Sequence, residues 1–114
     1  MANLASERCV ACRPGSPAVE DDALAGLLAQ LDGWHIVEEE GARALCKRYP
    51  FRSMAEGQAF AAALGEAADA EDHHPRIVIE YRWVEVSWTT HAIGNLHRND
   101  FVMAAKTDAL AGRA

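Results

Sequence analysis

The sequence predicts an α+β fold, one four-stranded antiparallel sheet with three helices on one face, in the order α-β-β-α-β-β-α. Three observations carry that prediction. Apolar residues recur at helical spacing in three separated stretches, and β-branched or aromatic runs fall between them in two pairs. The links within each pair are only a few residues long, which joins strands as antiparallel hairpins, since a parallel crossover needs about a dozen residues or more.

Residues 1–19 end in Arg13-Pro14-Gly15-Ser16-Pro17-Ala18-Val19 and show no apolar periodicity, so they read as an irregular, loosely packed lead-in to a single domain over 20–114. The acidic run Glu20-Asp21-Asp22 suits a helix N-terminus, and Leu24, Leu27, Leu28 and Leu31 then fall on one helical face until Gly33 stops it. Trp34–Glu38 and Ala42–Tyr49 read as strands, with Glu40-Gly41 supplying the turn. Ser53-Met54-Ala55-Glu56 matches a capping box. The helix it opens places Met54, Gly57, Ala61, Leu64 and Ala68 on one stripe beside Phe60, and is expected to end near Asp69–Asp72. Ile77–Tyr81 and Val84–Thr90 form the second pair of strands. In the latter Val84, Val86, Trp88 and Thr90 share one face while Glu85, Ser87, Thr89 and His91 share the other. Gly94-Asn95 breaks the chain before a last helix over His97–Gly112, with Asp100 and Lys106 ordered along its dipole.

Composition narrows the function classes. A chain of 114 residues builds one core and no second one. Its net charge of -6 opposes direct binding to a phosphate backbone. No apolar run approaches the roughly 20 residues of a membrane helix, and the first residues lack signal-peptide character, so a cytoplasmic protein is expected. Three cysteines make free thiols more natural than a disulfide framework. Cys9 and Cys12 are spaced as half of a zinc or redox site, but no second such pair follows.

Chemistry concentrates on the histidines. His73 and His74 lie between a helix end and a strand start, and His91 lies beyond the next strand, so hairpin pairing is expected to bring the three together. Imidazoles titrate near neutrality, so such a cluster can take and give protons. The same positions also fit turn and strand-end residues, or metal ligands helped by Asp69 or Asp100, although adjacent histidines on extended chain diverge and chelate poorly. No activated serine or cysteine and no phosphate-binding loop is visible. Trp34, Trp83 and Trp88 read as packing residues.

From Asp69 to Asp100 the chain resembles the pterin-4a-carbinolamine dehydratases. The resemblance rests on Asp69 four residues before His73-His74-Pro75, then Tyr81, Thr90-His91, and Asp100 nine residues after the last histidine. It extends upstream through Gly33-Trp34 and Lys47–Phe51, spanning about residues 20–112. Cys9–Arg13 and His97–Phe101 are similar to the bacterial branch that accompanies phenylalanine hydroxylase. One departure is Gly94-Asn95-Leu96-His97, where His97 replaces the serine or threonine cap of many relatives.

The resemblance implies an elimination of water from a 4a-hydroxytetrahydropterin without metal or other cofactor. His73, His74 and His91 would be catalytic, with Asp69, Pro75, Thr90 and Asp100 around the substrate. Asp69 is expected to support the His73-His74 turn, and Asp100 to orient an imidazole, cap the last helix, or both. The expected partners are the pterin, a second or further copies in a homodimer or homotetramer, and functional coupling to phenylalanine hydroxylase, with no membrane and no direct nucleic acid. A regulatory or dimerisation-cofactor protein, as some animal relatives are, and a small Cys/His metal-binding protein are the alternatives.

Overall fold

A computed structural model describes residues 4–11 and 13–112. Three helices, α1 (Asp21–Leu28), α2 (Met54–Glu71) and α3 (Arg98–Leu110), accompany four strands, β1 (His35–Glu39), β2 (Ala42–Pro50), β3 (Arg76–Glu80) and β4 (Trp83–Trp88). The order and the α+β class are those the sequence predicts. The strands form one antiparallel sheet in the order β1-β2-β4-β3, so β2 and β4 are central and β1 and β3 are edges.

Alternation decides the two faces of the sheet. Leu45 and Tyr49 of β2 and Val84, Val86 and Trp88 of β4 are fully buried against the helices, joined by Leu64, Phe101 and Met103. The opposite face carries Arg48, Arg76, Trp83, Glu85, Ser87 and Glu39. There Arg48 bonds Glu85 at 3.2 Å and its guanidinium lies 3.8 Å from the centre of the Trp83 ring. Helix α2 approaches the sheet closely at Gly57, where an added Cβ would meet a Val84 methyl at 3.0 Å, tighter than ordinary van der Waals contact.

The turns explain most of the boundaries. Glu40 and Gly41 both have positive φ, 51° and 81°, the pattern of a tight type I′ hairpin that matches strand twist. Ser53 caps α2 by accepting from the Glu56 N–H at 3.2 Å, whereas the Glu56 carboxylate bonds the N–H of Arg52 at 3.3 Å rather than that of Ser53. At its other end Asp72 adopts the left-handed conformation and closes the helix.

Three expectations change. Helix α1 ends at Leu28, not near Gly33, because the chain tightens into short turns in which the Gln30 N–H bonds the Leu27 carbonyl. Met54, placed on the buried stripe of α2 by periodicity, is 45 % exposed, since the stripe begins to touch the sheet only at Gly57. The first described residues of the lead-in pack more closely than expected. Leu4–Ser6 form a 3-10 turn with Leu4 buried, and Lys106, which lies short of the last turn of α3, bonds the Ala5 carbonyl at 2.8 Å.

Candidate active site

The site is built where α2 ends, β4 ends and α3 begins. The Asp72 turn lets the His73 N–H bond back to the Ala68 carbonyl at 3.2 Å, which fixes His73 to the last turn of α2. Its imidazole stacks on Trp88 with ring centres 5.6 Å apart and planes inclined by 6°. From α3, the Asp100 carboxylate meets His73 Nε2 at 2.7 Å. Asp100 is fully buried, and its other oxygen accepts from the Thr90 hydroxyl at 2.8 Å and the His97 N–H at 2.9 Å. An ionised carboxylate only accepts, so this contact places the ring proton of neutral His73 on Nε2 and leaves Nδ1 as its basic nitrogen.

His74 turns the other way, as alternation along an extended chain requires. It lines a cleft of about 610 Å³ together with Glu39, Arg76, Ser87, Thr89 and His91. That volume lies within the usual range of small-molecule sites, about 300–1,000 Å³. His74 Nε2 contacts Asp69 at 2.9 Å, with both side chains largely in solvent, so the pair orients more than it stabilises. Pro75 is half-buried and leads directly into β3. His91 is exposed in the turn that follows Thr90, closed by the Gly94 N–H on the Thr90 carbonyl at 3.0 Å.

The structure thus sorts the expected residues into two layers. His74 and His91 share the cleft, while His73 does not line it and sits behind with Thr90 and Asp100. Hairpin pairing alone suggested one cluster of three. The divergence of neighbouring side chains splits it, so that each pair, His73-His74 and Thr90-His91, gives one member to the buried network and one to the cleft. Asp100 both orients the imidazole and completes a capping box at the start of α3.

Sequence reasoning missed two features. His97 is a working cap: its Nδ1 accepts from the Asn99 N–H at 3.0 Å, and burial pushes its pKa down against the pull of nearby Asp100, with His73 adding to the lowering. Glu39, Arg76 and Ser87 of the cleft come from three different strands, and only their register could have placed them together. Among the described residues no group of three potential metal ligands converges, and Cys12 lies outside the described residues.

The fold and sequence have known counterparts. The sequence profile described as pterin 4 alpha carbinolamine dehydratase matches residues 17–110. A protein of Gloeobacter violaceus with the provisional name pterin-4-alpha-carbinolamine dehydratase 1 is 50% identical over 111 residues, covering 97% of this chain and 96% of that protein. A similarly named protein of Chlorobium luteolum is 43% identical over 110 residues, 96% of each chain. The crystal structure of a transcriptional coactivator/pterin dehydratase from Brucella melitensis superposes with a TM-score of 0.76 at 28% identity, covering 84% of this chain and all of that one. A pterin dehydratase-like protein described as a RuBisCO assembly factor of the alpha-carboxysome gives a TM-score of 0.61 at 28% identity, over 72% of this chain and 93% of that one.

Proposed function

The chain belongs to the pterin 4 alpha carbinolamine dehydratase family, and on that premise we propose that it converts 4a-hydroxytetrahydropterin to quinonoid dihydropterin and water by histidine acid/base catalysis. The observation that carries this reading is the part-buried His73–Asp100 pair, with His73 next in sequence to the cleft residue His74 and Thr90, which bonds Asp100, next to the cleft residue His91. The elimination removes a proton from the ring nitrogen beside the hydroxylated carbon, forms the C=N bond, breaks the C–O bond and protonates the departing hydroxyl. One base and one acid suffice, and no cofactor is needed.

His73 takes the base role: although it stands behind the cleft-lining His74, its side chain keeps 10 % exposure, so the substrate proton reaches it at the cleft wall or through one water. Asp100 orients it and stabilises the imidazolium that forms. His91 gives the proton to the hydroxyl, His74 holds the pterin, and solvent returns the catalyst to its starting state. Thr90 acts through Asp100, while Asp69 and Pro75 hold the His74 turn at the cleft. The product is the oxidised half of a pterin cycle, which supports a place beside an aromatic amino-acid hydroxylase such as phenylalanine hydroxylase. The open edges β1 and β3 support assembly into a homodimer or homotetramer. No helix among the described residues is long and apolar enough to cross a membrane, in keeping with a cytoplasmic location.

The test is dehydration of 4a-hydroxytetrahydropterin by wild type, His73→Ala, His74→Ala and His91→Ala, each checked for folding by circular dichroism. His73→Ala and His91→Ala are expected to lose about 10²- to 10⁴-fold in kcat, the usual worth of general acid/base help. Full activity in all three folded variants would sink the mechanism.

A further inference from the structure

We propose that residues 8–10 form a clasp that sets the position of His73 against Asp100, which makes Glu71 and Asn99 positioning residues of the reaction. The inference rests on the dehydratase reading above for its kinetic consequence, but its geometry is independent of substrate. His73 is fixed to the last turn of α2, and Asp100 is fixed in the first turn of α3 by its capping box. The two are 27 residues apart in sequence, so their 2.7 Å contact depends on how the two helix ends are held together.

The clasp reaches both ends at once. Glu71, the last residue of α2, accepts the Cys9 N–H at 2.7 Å on one carboxylate oxygen and Arg8 Nε at 2.6 Å on the other. Asn99, beside Asp100, accepts the Val10 N–H at 3.1 Å and donates its amide to the Val10 carbonyl at 2.7 Å. Cys9 therefore answers to α2 and Val10 to α3, and consecutive Cα atoms stand about 3.8 Å apart, a spacing the chain cannot stretch. The two anchoring side chains are shielded: Glu71 is 8 % exposed and Asn99 3 %. The Cys9 N–H and Arg8 hold the Glu71 carboxyl below the usual carboxylate range, so the acceptor is charged and its bonds are of the stronger kind. Upstream, Glu7 grips Arg98 of α3 through two bonds of 2.9 and 2.7 Å. Trp88 and Thr90 support the pair from the sheet side, while the clasp ties the helix ends.

The experiment compares full-length Glu71→Ala and Asn99→Ala with wild type, with Glu71→Gln, and with Phe60→Leu, a core change on α2 away from the clasp that reports on destabilisation alone. Three readouts are taken: kcat and KM for 4a-hydroxytetrahydropterin, Tm, and the ¹⁵N resonances of His73, which report the tautomer on Nε2. Misplacement of a reacting group by about 1 Å can cost about 10²-fold. Glu71→Ala and Asn99→Ala are therefore expected to lower kcat by about 10- to 100-fold with KM changed less than about twofold, and to mix the His73 tautomers. Glu71→Gln keeps an acceptor for the Cys9 N–H and should recover most of the loss. Phe60→Leu should lower Tm while leaving kcat and the His73 resonances unchanged. Clasp variants that keep the wild-type His73 signature, or whose kcat falls no more than that of Phe60→Leu, would overturn the proposal. Should wild type itself fail to dehydrate the pterin, the dehydratase reading falls, and the His73 resonances alone decide the clasp.

Discussion

Asp100 and Asp108 are buried carboxylates on the same helix, two turns or about 12 Å apart, and they hold different kinds of partner. Asp108 accepts from Lys47 Nζ at 2.9 Å, from Trp34 Nε1 at 3.2 Å to each oxygen, and from the Tyr49 hydroxyl. Lys47 also bonds the Asp32 carbonyl at 2.6 Å and lies 4.9 Å from the Tyr49 ring centre. Asp100 accepts from an imidazole, a hydroxyl and a backbone N–H, and the imidazole can exchange protons. The helix thus carries a structural pin at one end and, on the mechanism proposed above, the reactive pair at the other.

The largest effect should come from cutting the pin. Asp108→Ala leaves Lys47, 11 % exposed, without its counter-charge and strips Trp34 and Tyr49 of their acceptor. Breaking a buried pair in this way costs about 3–5 kcal/mol, measurable as a lowered urea midpoint. Activity per folded molecule should stay near that of wild type. A stable Asp108→Ala protein that is catalytically dead would reverse the roles assigned to the two carboxylates.

Asp100→Asn sharpens the same comparison from the other side. The amide keeps the shape and can donate to His73 Nε2, which drives the imidazole to the other tautomer and removes Nδ1 as a base. A kcat loss of about 10²-fold or more is expected, with a smaller effect on stability than at Asp108. Unchanged turnover in Asp100→Asn would mean that the pair is structural as well.

The order of elements was legible because it rests on local periodicity, such as the alternation of Val84, Val86 and Trp88, and on local turn chemistry at Glu40-Gly41. The His73-His74-Pro75 turn stood out by its place between a helix end and a strand start, and its proposed role came from the family resemblance. The Lys47–Asp108 pin was not, because it joins residues 61 apart, and Lys47 sits on the core face of β2 between Leu45 and Tyr49 where a charge finds its partner only in the folded state. The division of the histidines was half legible: adjacent side chains on extended chain must diverge, but the stack of His73 on Trp88 that chooses the buried one depends on tertiary packing. The start of α1 was readable from its acidic residues, while its early end depends on turns that no cap residue marks.

Trp88 connects the two ends, since its ring stacks on His73 while its Nε1–H bonds the Thr107 hydroxyl at 3.0 Å, next to Asp108. Thr107→Val keeps the shape and leaves that buried N–H without an acceptor, at a cost of about 1–3 kcal/mol. Thermal unfolding should report the loss. The His73 stack is untouched, so kcat is expected to hold; a fall in kcat matching that of Asp100→Asn would show that the pin and the reactive pair are coupled through the indole.

The smallest effect concerns His97, which joins the reactive end through its backbone bond to Asp100 and caps α3 with an unprotonated Nδ1. Burial lowers its pKa from the ordinary 6.5, and the opposing attraction of Asp100 does not restore it. Between the lowered folded value and about 6.5 the unfolded chain therefore binds more protons than the native one, so stability rises with pH across that window. The contribution is full above about 6.5 and is lost as pH falls, within the about 0.5–2 kcal/mol that a helix cap is worth. His97→Asn retains a capping side chain without the titration, and its stability should be flatter than that of wild type between pH 6.5 and the carboxylate range. Identical urea midpoints as a function of pH in the two proteins would show that the imidazole cap titrates alike in both states.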